Sequence, residues 1–255
     1  MTDASRARAF DRAAARYAAH RPSYPPAVLD AAEEFLGRSL AGARVADVGA
    51  GTGIAAALLR ERGAQVVAVE PGEGMAAQFR RDHPGLPVVR GDGNALPLRG
   101  DRMDLVTYAQ AWQWTDTARS VPEALRVLRP GGALAIWWNT TALDVPWIAA
   151  QHARIAAYCG VEARTAPPLD DAEAVAAAGL TGLRTRRHRL PWTRTVPLDT
   201  HLANLGSRSA LLVLGEERVN AFLAEERERL RRRAPGGEET VEECYVVDLF
   251  LASGS

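Results

Sequence analysis

The sequence predicts an α/β fold in which a parallel β-sheet is covered by helices on both faces. Three observations predict it. Apolar runs of strand length recur at Arg44–Val48, Gln65–Val69, Val88–Val89, Leu105–Tyr108 and Ala133–Trp138. Helix-like stretches, Ile54–Arg62, Gly74–Arg81 and Val121–Leu128, fall between them. Alternation of this kind reads as parallel strands buried on both faces. The first strand also runs directly into a glycine-rich loop and then a helix, Val45-Ala46-Asp47-Val48-Gly49-Ala50-Gly51-Thr52-Gly53.

Taken in order, an alanine-rich amphipathic segment opens the chain and predicts a helix to about His20. Arg21-Pro22-Ser23-Tyr24-Pro25-Pro26 stops it, because proline cannot continue a helix. A second helix is expected over Ala27–Leu36. The alternation then runs to Asn139 and stops. Residues 140–182 read as helices and loops, with Val145–Cys159 the longest helical stretch. Leu183–Leu190 and Glu243–Ala252 read as strands. The segment between them reads as helical, with Leu202, Leu205, Leu211, Leu214, Phe222 and Leu230 as core positions. Two late strands split by a helical insertion predict a cap built onto the end of the sheet. Glu225–Arg233 (EERERLRRR) is expected to be a solvated helix face.

Composition excludes several chemistries. The chain has 255 residues with 31 basic and 31 acidic side chains, and every basic one is arginine. Without lysine there is no Schiff base, no lysine general base and no P-loop lysine. Zero net charge argues against a nucleic-acid or membrane partner held by bulk electrostatics. Cys159 and Cys244 have neither metal-ligand spacing nor a disulfide framework, so no metal is expected. Met1 to Phe10 lacks the apolar stretch of a secretory signal, and no apolar run reaches the length of a membrane span. These features predict a soluble, cytoplasmic protein; oligomeric state is not legible.

The glycine loop is the strongest chemical signal. Glycines serve where backbone passes close to a ligand or takes positive φ, and the following helix N-terminus offers free amides to a carboxylate or phosphate. The spacing Gly49-x-Gly51-x-Gly53, with Asp47 two residues earlier, departs from the G-x-G-x-x-G of dinucleotide folds. Glu70 ends the second strand, in Val66-Val67-Ala68-Val69-Glu70-Pro71, where an acid accepts hydrogen bonds from a ribose diol; alone it reads as a surface turn acid. Gly91-Asp92-Gly93-Asn94-Ala95-Leu96-Pro97 is a polar turn after the third strand. It presents Asp92 to an adenine amino group or is an ordinary Asx turn.

In this order and spacing, VADVGAGTG, VVAVEPGEGM, GDGNALPL and Ala124–Gly132 (ALRVLRPGG) resemble the class I S-adenosylmethionine-dependent methyltransferases over about residues 40–140. The resemblance implies a Rossmann-like seven-stranded sheet, mostly parallel with the last strand antiparallel. It implies that Gly49, Ala50, Gly51, Thr52 and Gly53 face the methionine part of the cofactor, with Asp47 ordering the loop or its ammonium. Glu70 would hold the ribose, Pro71 and Met75 would flank the adenine, and Asp92, with Gly93 and Asn94, would reach its amino group. Phe10–Pro25 and Ala109-Gln110-Ala111-Trp112-Gln113-Trp114-Thr115-Asp116 look like the trans-aconitate-methyltransferase-like small-molecule group. That likeness adds Ala109 and Gln110 to the cofactor set. It also makes the N-terminal segment a lid, with Tyr17, Arg21 and Tyr24 near the cofactor. Three regions are expected: a helical lid over 1–36, a cofactor-binding core over 37–140, and a helical substrate cap with the last two strands over 141–255.

Methyl transfer from a sulfonium is an in-line displacement. Positioning can supply roughly 7–11 kcal/mol of the barrier, and a general base adds about 10²–10⁴-fold. The group's pattern usually has histidine where this chain has Gln113, which removes a titrating group there. The Asn/Asp-Pro-Pro-Tyr tetrad seen in amine methylases of nucleic-acid bases is replaced by AQAWQW. Trp112, Gln113 and Trp114 are read as an acceptor site whose indole and amide N–H groups hold a carboxylate, or as packing. Trp138, Asn139 and Trp147 lie on the expected acceptor side, and His201 lies in the cap; His20 and His152 belong to the lid and insertions. His83 and His188 are expected at the surface. The expected reaction is methylation of a small molecule at a carboxyl or hydroxyl oxygen. The alternatives are an RNA or protein methylase, using Arg184, Arg186, Arg187, Arg189 and Arg194, or a cofactor-binding protein that no longer methylates.

Overall fold

The computed structural model describes residues 20–161, 169, 172–233 and 239–254. Apart from His20, the expected first helix lies outside these residues, and so does Tyr17. The chain divides into two compact units: a core unit of residues 23–140, 166–190 and 247–255, and a second unit of residues 1–22, 141–165 and 191–246.

The core unit opens with α1 (Ala27–Leu36), whose Val28, Leu29, Ala31, Ala32 and Phe35 form its buried stripe. Gly37 ends it at φ +66, where its amide reaches the carbonyls of Glu33 and Glu34. After it come β1 (Arg44–Val48), α2 (Ile54–Glu61), β2 (Gln65–Glu70), α3 (Glu73–Asp82), β3 (Val88–Arg90), β4 (Met103–Ala109), a 3₁₀ turn (Trp112–Trp114), α4 (Thr117–Val127) and β5 (Leu128–Thr141). The full sheet has seven strands, with β6 (Arg184–Pro197) and β7 (Thr240–Ser253) completing the order β3-β2-β1-β4-β5-β7-β6. Neighbouring strands from β3 to β5 pair in parallel.

Contacts along β7 fix its direction. Arg184 meets Ser253, Arg187 meets Asp248 and Arg194 meets Glu243, so β6 and β7 run antiparallel. Chain progress across the sheet reverses between β1 and β4. Such a reversal opens a crevice at the strands' carboxyl ends, where ligands bind in sheets of this type.

Element boundaries depart from expectation where local signals mislead. β5 begins five residues before Ala133, because an irregularity between Met103 and Leu105 lets exposed Arg129–Gly131 bulge out of the ladder. α4 begins at Thr117, four residues before expected, capped by Asp116, and carries Pro122 inside it. β6 continues past Pro191, which an edge strand tolerates because it forms a ladder on one side only.

In the second unit, α5 (Pro146–Cys159), α7 (Leu198–Gly206), α8 (Ser209–Leu212) and α9 (Glu216–Arg233) enclose a core of Ile155, Leu198, Leu202, Leu205, Leu211, Val219, Phe222, Leu230 and Val241. The remaining helix, α6 (Ala172–Ala177), belongs to the core unit. Of the expected core positions here, only Leu214 is partly exposed.

The solvated reading of Glu225–Arg233 needs one correction. Glu226 is fully buried. It falls on the stripe Val219, Phe222, Glu226, Leu230, whose spacings of three and four residues turn it inward. There it accepts from Arg154 Nε at 2.6 Å and Nη2 at 2.8 Å, and from Gln151 Nε2 at 3.1 Å. Glu226→Ala strands those donors and is expected to cost about 2 kcal/mol. Glu225→Ala, at an exposed position, should cost under about 0.5 kcal/mol. Denaturant unfolding of the two variants compares these values; equal costs would contradict the buried role.

Candidate cofactor site

The site begins where β1 ends. Gly49 and Ala50 amides donate to the Val69 carbonyl at 2.8 and 3.2 Å, tying the loop to the end of β2. Glu70 then bridges two turns, accepting from the Gly51 amide at 2.8 Å and the Gly72 amide at 2.6 Å. Gly49 takes φ +68, and a Cβ there would lie 2.5 Å from the Ala111 Cβ. Glycine therefore lets the segment after β4 close against the loop. Gly53, at φ +96, has His83 and Phe79 where a Cβ would sit. His83 is thus half-buried against α3, packed on Phe79 at 5.3 Å, and not simply a surface turn residue. At Gly51 a Cβ would meet nothing within 4 Å, so the crest of the loop faces open space.

Two buried polar atoms in this cradle lack hydrogen-bond partners: Asp47 Oδ2 and Thr52 Oγ1. Asp47 Oδ1 accepts from the Thr107 hydroxyl at 2.8 Å. Burial pushes the Asp47 carboxyl up to about 7; Glu70's charge adds to this, while Thr107 and the Ala56 amide work against it. One orphan acceptor and one orphan donor beside a helix N-terminus complement an amino-acid zwitterion: ammonium to Asp47, carboxylate to Thr52 and free amides. The methionine end of S-adenosylmethionine is such a group, so the residues fit it.

The other expected cofactor residues of the core unit border this loop or the neighbouring strand ends. Pro71 is exposed and Met75 buried at the start of α3. Asp92 forms an Asx turn, accepting from the Asn94 amide at 2.9 Å. Asn94 in turn accepts from the Asp116 amide at 2.8 Å. A Cβ on Gly93 would press on Val48 and Tyr108, which places this turn over the ends of β1 and β4. Ala109 ends β4, and Gln110 comes next at φ +58, a left-handed conformation uncommon without glycine.

That turn anchors a relay. Gln110 Nε2 donates to the Asn139 carbonyl at 3.2 Å, Gln113 Nε2 to the Gln110 carbonyl at 2.7 Å, and Trp138 Nε1 to Gln113 Oε1 at 2.9 Å. The Gln113 amide N–H expected to face an acceptor thus donates to Gln110, while its oxygen accepts from the Trp138 indole. Trp112 is buried edge-on to Tyr108 at 5.0 Å, which makes it packing. Trp114 is 44% exposed. Tyr24 is buried against Trp137.

Arg21, Trp147 and His201 belong to the second unit. His201 Nδ1 lies 2.7 Å from Glu243 Oε1, and Gln151 Nε2 lies 3.2 Å from His201 Nε2. Because Gln151 Nε2 also donates to Glu226, an acceptor only, it points N–H at the ring, and Nδ1 carries the imidazole proton. Both ring nitrogens are thus engaged, so His201 is a structural group and not an open base. Glu243 was not singled out from the sequence. Burial raises its pKa, yet His201, Asn204 and Arg194 together hold it down at about 2. Its signal was the alternation of β7: Val241, Glu243 and Tyr245 face inward in turn.

Asp47 yields a pH prediction. Its folded pKa, near 7, exceeds the unfolded value near 3.9. The folded state keeps a proton that the unfolded chain releases, so stability contributed by Asp47 falls as pH rises from about 4 to 7. Asp47→Asn should flatten that slope in calorimetric melting and melt higher than wild type above pH 7. An unchanged slope would contradict the assignment.

Residues 46–136 match the family described as "Methyltransferase domain". An uncharacterized methyltransferase of Mycobacterium tuberculosis is 42% identical over 139 residues, covering 54% of this chain and 55% of that protein. A malonyl-[acyl-carrier protein] O-methyltransferase of Enterobacter lignolyticus is 36% identical over 141 residues, 54% of each chain. The chain thus matches about half the length of these curated relatives. A solved structure assigned as a type II methyltransferase, from Anaeromyxobacter dehalogenans, shares the fold. It aligns with TM-score 0.61 and 24% identity over 92% of this chain and 97% of that one. Sheet order, glycine loop and family match agree: residues 46–136 lie in a class I S-adenosylmethionine-dependent methyltransferase domain.

Proposed function

We propose that this protein transfers a methyl group from S-adenosylmethionine to an oxygen of a small molecule, with a carboxylate the leading acceptor and a hydroxyl the next. The observation that carries the cofactor half is the pair of orphan atoms, Asp47 Oδ2 and Thr52 Oγ1, inside the Gly49–Gly53 cradle. The cofactor supplies an electrophilic methyl on a sulfonium. The chain's own task is to hold both partners in line and keep water out.

The acceptor half rests on the segment after β4. Gln113 stands there without a titrating group, and its amide is held between Trp138 and Gln110. An ionised carboxylate needs no base, which suits such a site. The Enterobacter relative, an O-methyltransferase by name, supports oxygen as the atom methylated.

The RNA or protein reading needs a free basic face on β6. Its arginines are occupied: Arg184 by the Phe35 carbonyl and Ser253, Arg186 by Glu34, and Arg187 and Arg189 by Asp248. These pairs argue against it. Among the described residues no helix is long and apolar enough to cross a membrane.

Methyl-labelled cofactor offered with a panel of carboxylic acids, phenols, alcohols and amines tests the proposal. Label should pass to an acid or alcohol. Transfer to RNA or protein alone, or to nothing in the panel, would overturn it. With the true acceptor, Gln113→Ala should lower kcat about tenfold by loosening the relay, and unchanged turnover would remove Gln113 from the acceptor site.

A further inference from the structure

The two buried carboxylates of the second unit, Glu243 and Glu226, are already engaged. Glu243 is saturated: Oε1 receives His201 at 2.7 Å and Asn204 at 3.1 Å, and Oε2 receives Arg194 at 2.6 Å and Tyr245 at 2.8 Å. Glu226 is likewise filled by Arg154, Gln151 and Arg229. Arg208 lies in the turn between α7 and α8 and is half-buried. Its guanidinium makes no hydrogen bond or ion pair among the described residues.

A second guanidinium sits close by. Arg21 Nη2 donates at 2.9 Å to the carbonyl of Ser207, the residue preceding Arg208, and its charge is felt at Arg208. Burial, with Tyr245 and Glu243 opposing it and Arg21 adding to it, lowers the Arg208 pKa. His152 is pushed down too, by burial and by the Arg208 charge, and an imidazole carries no negative charge in either state. Arginine stays protonated even so. A partly desolvated cation without an acceptor is costly, and the planar guanidinium fork matches a carboxylate in two parallel hydrogen bonds.

We propose that Arg208, with Arg21 beside it, anchors a carboxylate of a small organic acid within the second unit. The anchor does not rest on the methyl-transfer reading. Nothing in the sequence marked Arg208, one of 31 arginines. Its distinction is that its neighbours' carboxylates are already spent.

The test uses the full chain with S-adenosylhomocysteine and ligand-observed NMR. The probes are succinate, glutarate, adipate and benzoate, each paired with its neutral amide. Wild type should bind at least one acid and not its amide. Arg208→Gln should weaken that binding at least tenfold while melting no lower than wild type and binding S-adenosylmethionine unchanged. Arg208→Lys, which keeps the charge and loses the fork, should fall between them and stands in if the glutamine variant does not fold. Failure of every acid to bind better than its amide, or equal binding by wild type and the variants, would overturn the anchor.

Discussion

The close approach of Gly49 to Ala111 is the constraint on which the rest of the site depends. It joins the turn after β1 to the segment after β4, at the place where strand order reverses. A Cβ on Gly49 would force these segments apart, and with them the Glu70 bonds to Gly51 and Gly72 would lose their register. The loop is thus held from one side by backbone bonds to Val69 and from the other by packing on Ala111. Its crest at Gly51 faces open space.

Electrostatics in the same place are arranged at a cost. Asp47 and Glu70 are both buried, and the Glu70 charge adds to burial in making Asp47 harder to ionise. In the second unit Glu243 is saturated by His201, Asn204, Arg194 and Tyr245, and the Arg208 guanidinium has no hydrogen-bond partner among the described residues.

Much of the core was legible because its signals are local. Strand–helix alternation located β1 to β5, and Gly49-x-Gly51-x-Gly53 located the cradle, since positive φ at each of these positions favours glycine. The features that escaped were set by tertiary context. Glu226 looked like part of a charge run, although its place on the Val219–Leu230 stripe turned it inward. Glu243 looked like one acid among several, although period two along β7 buries it. Trp112 and Gln113 were legible as a feature, but their roles depended on packing against Tyr108 at the end of β4 and on Trp138 across in β5. Arg208 had no local signal, because being unpaired is a property of the surroundings.

The central claim is that the cradle after β1 holds S-adenosylmethionine, and calorimetric titration tests it most directly. The account predicts one site per chain in the wild type. It predicts affinity at least tenfold weaker in Glu70→Ala, where the loop amides of Gly51 and Gly72 lose their acceptor. Absence of binding by the wild-type chain, or equal affinity in the two proteins, would contradict it.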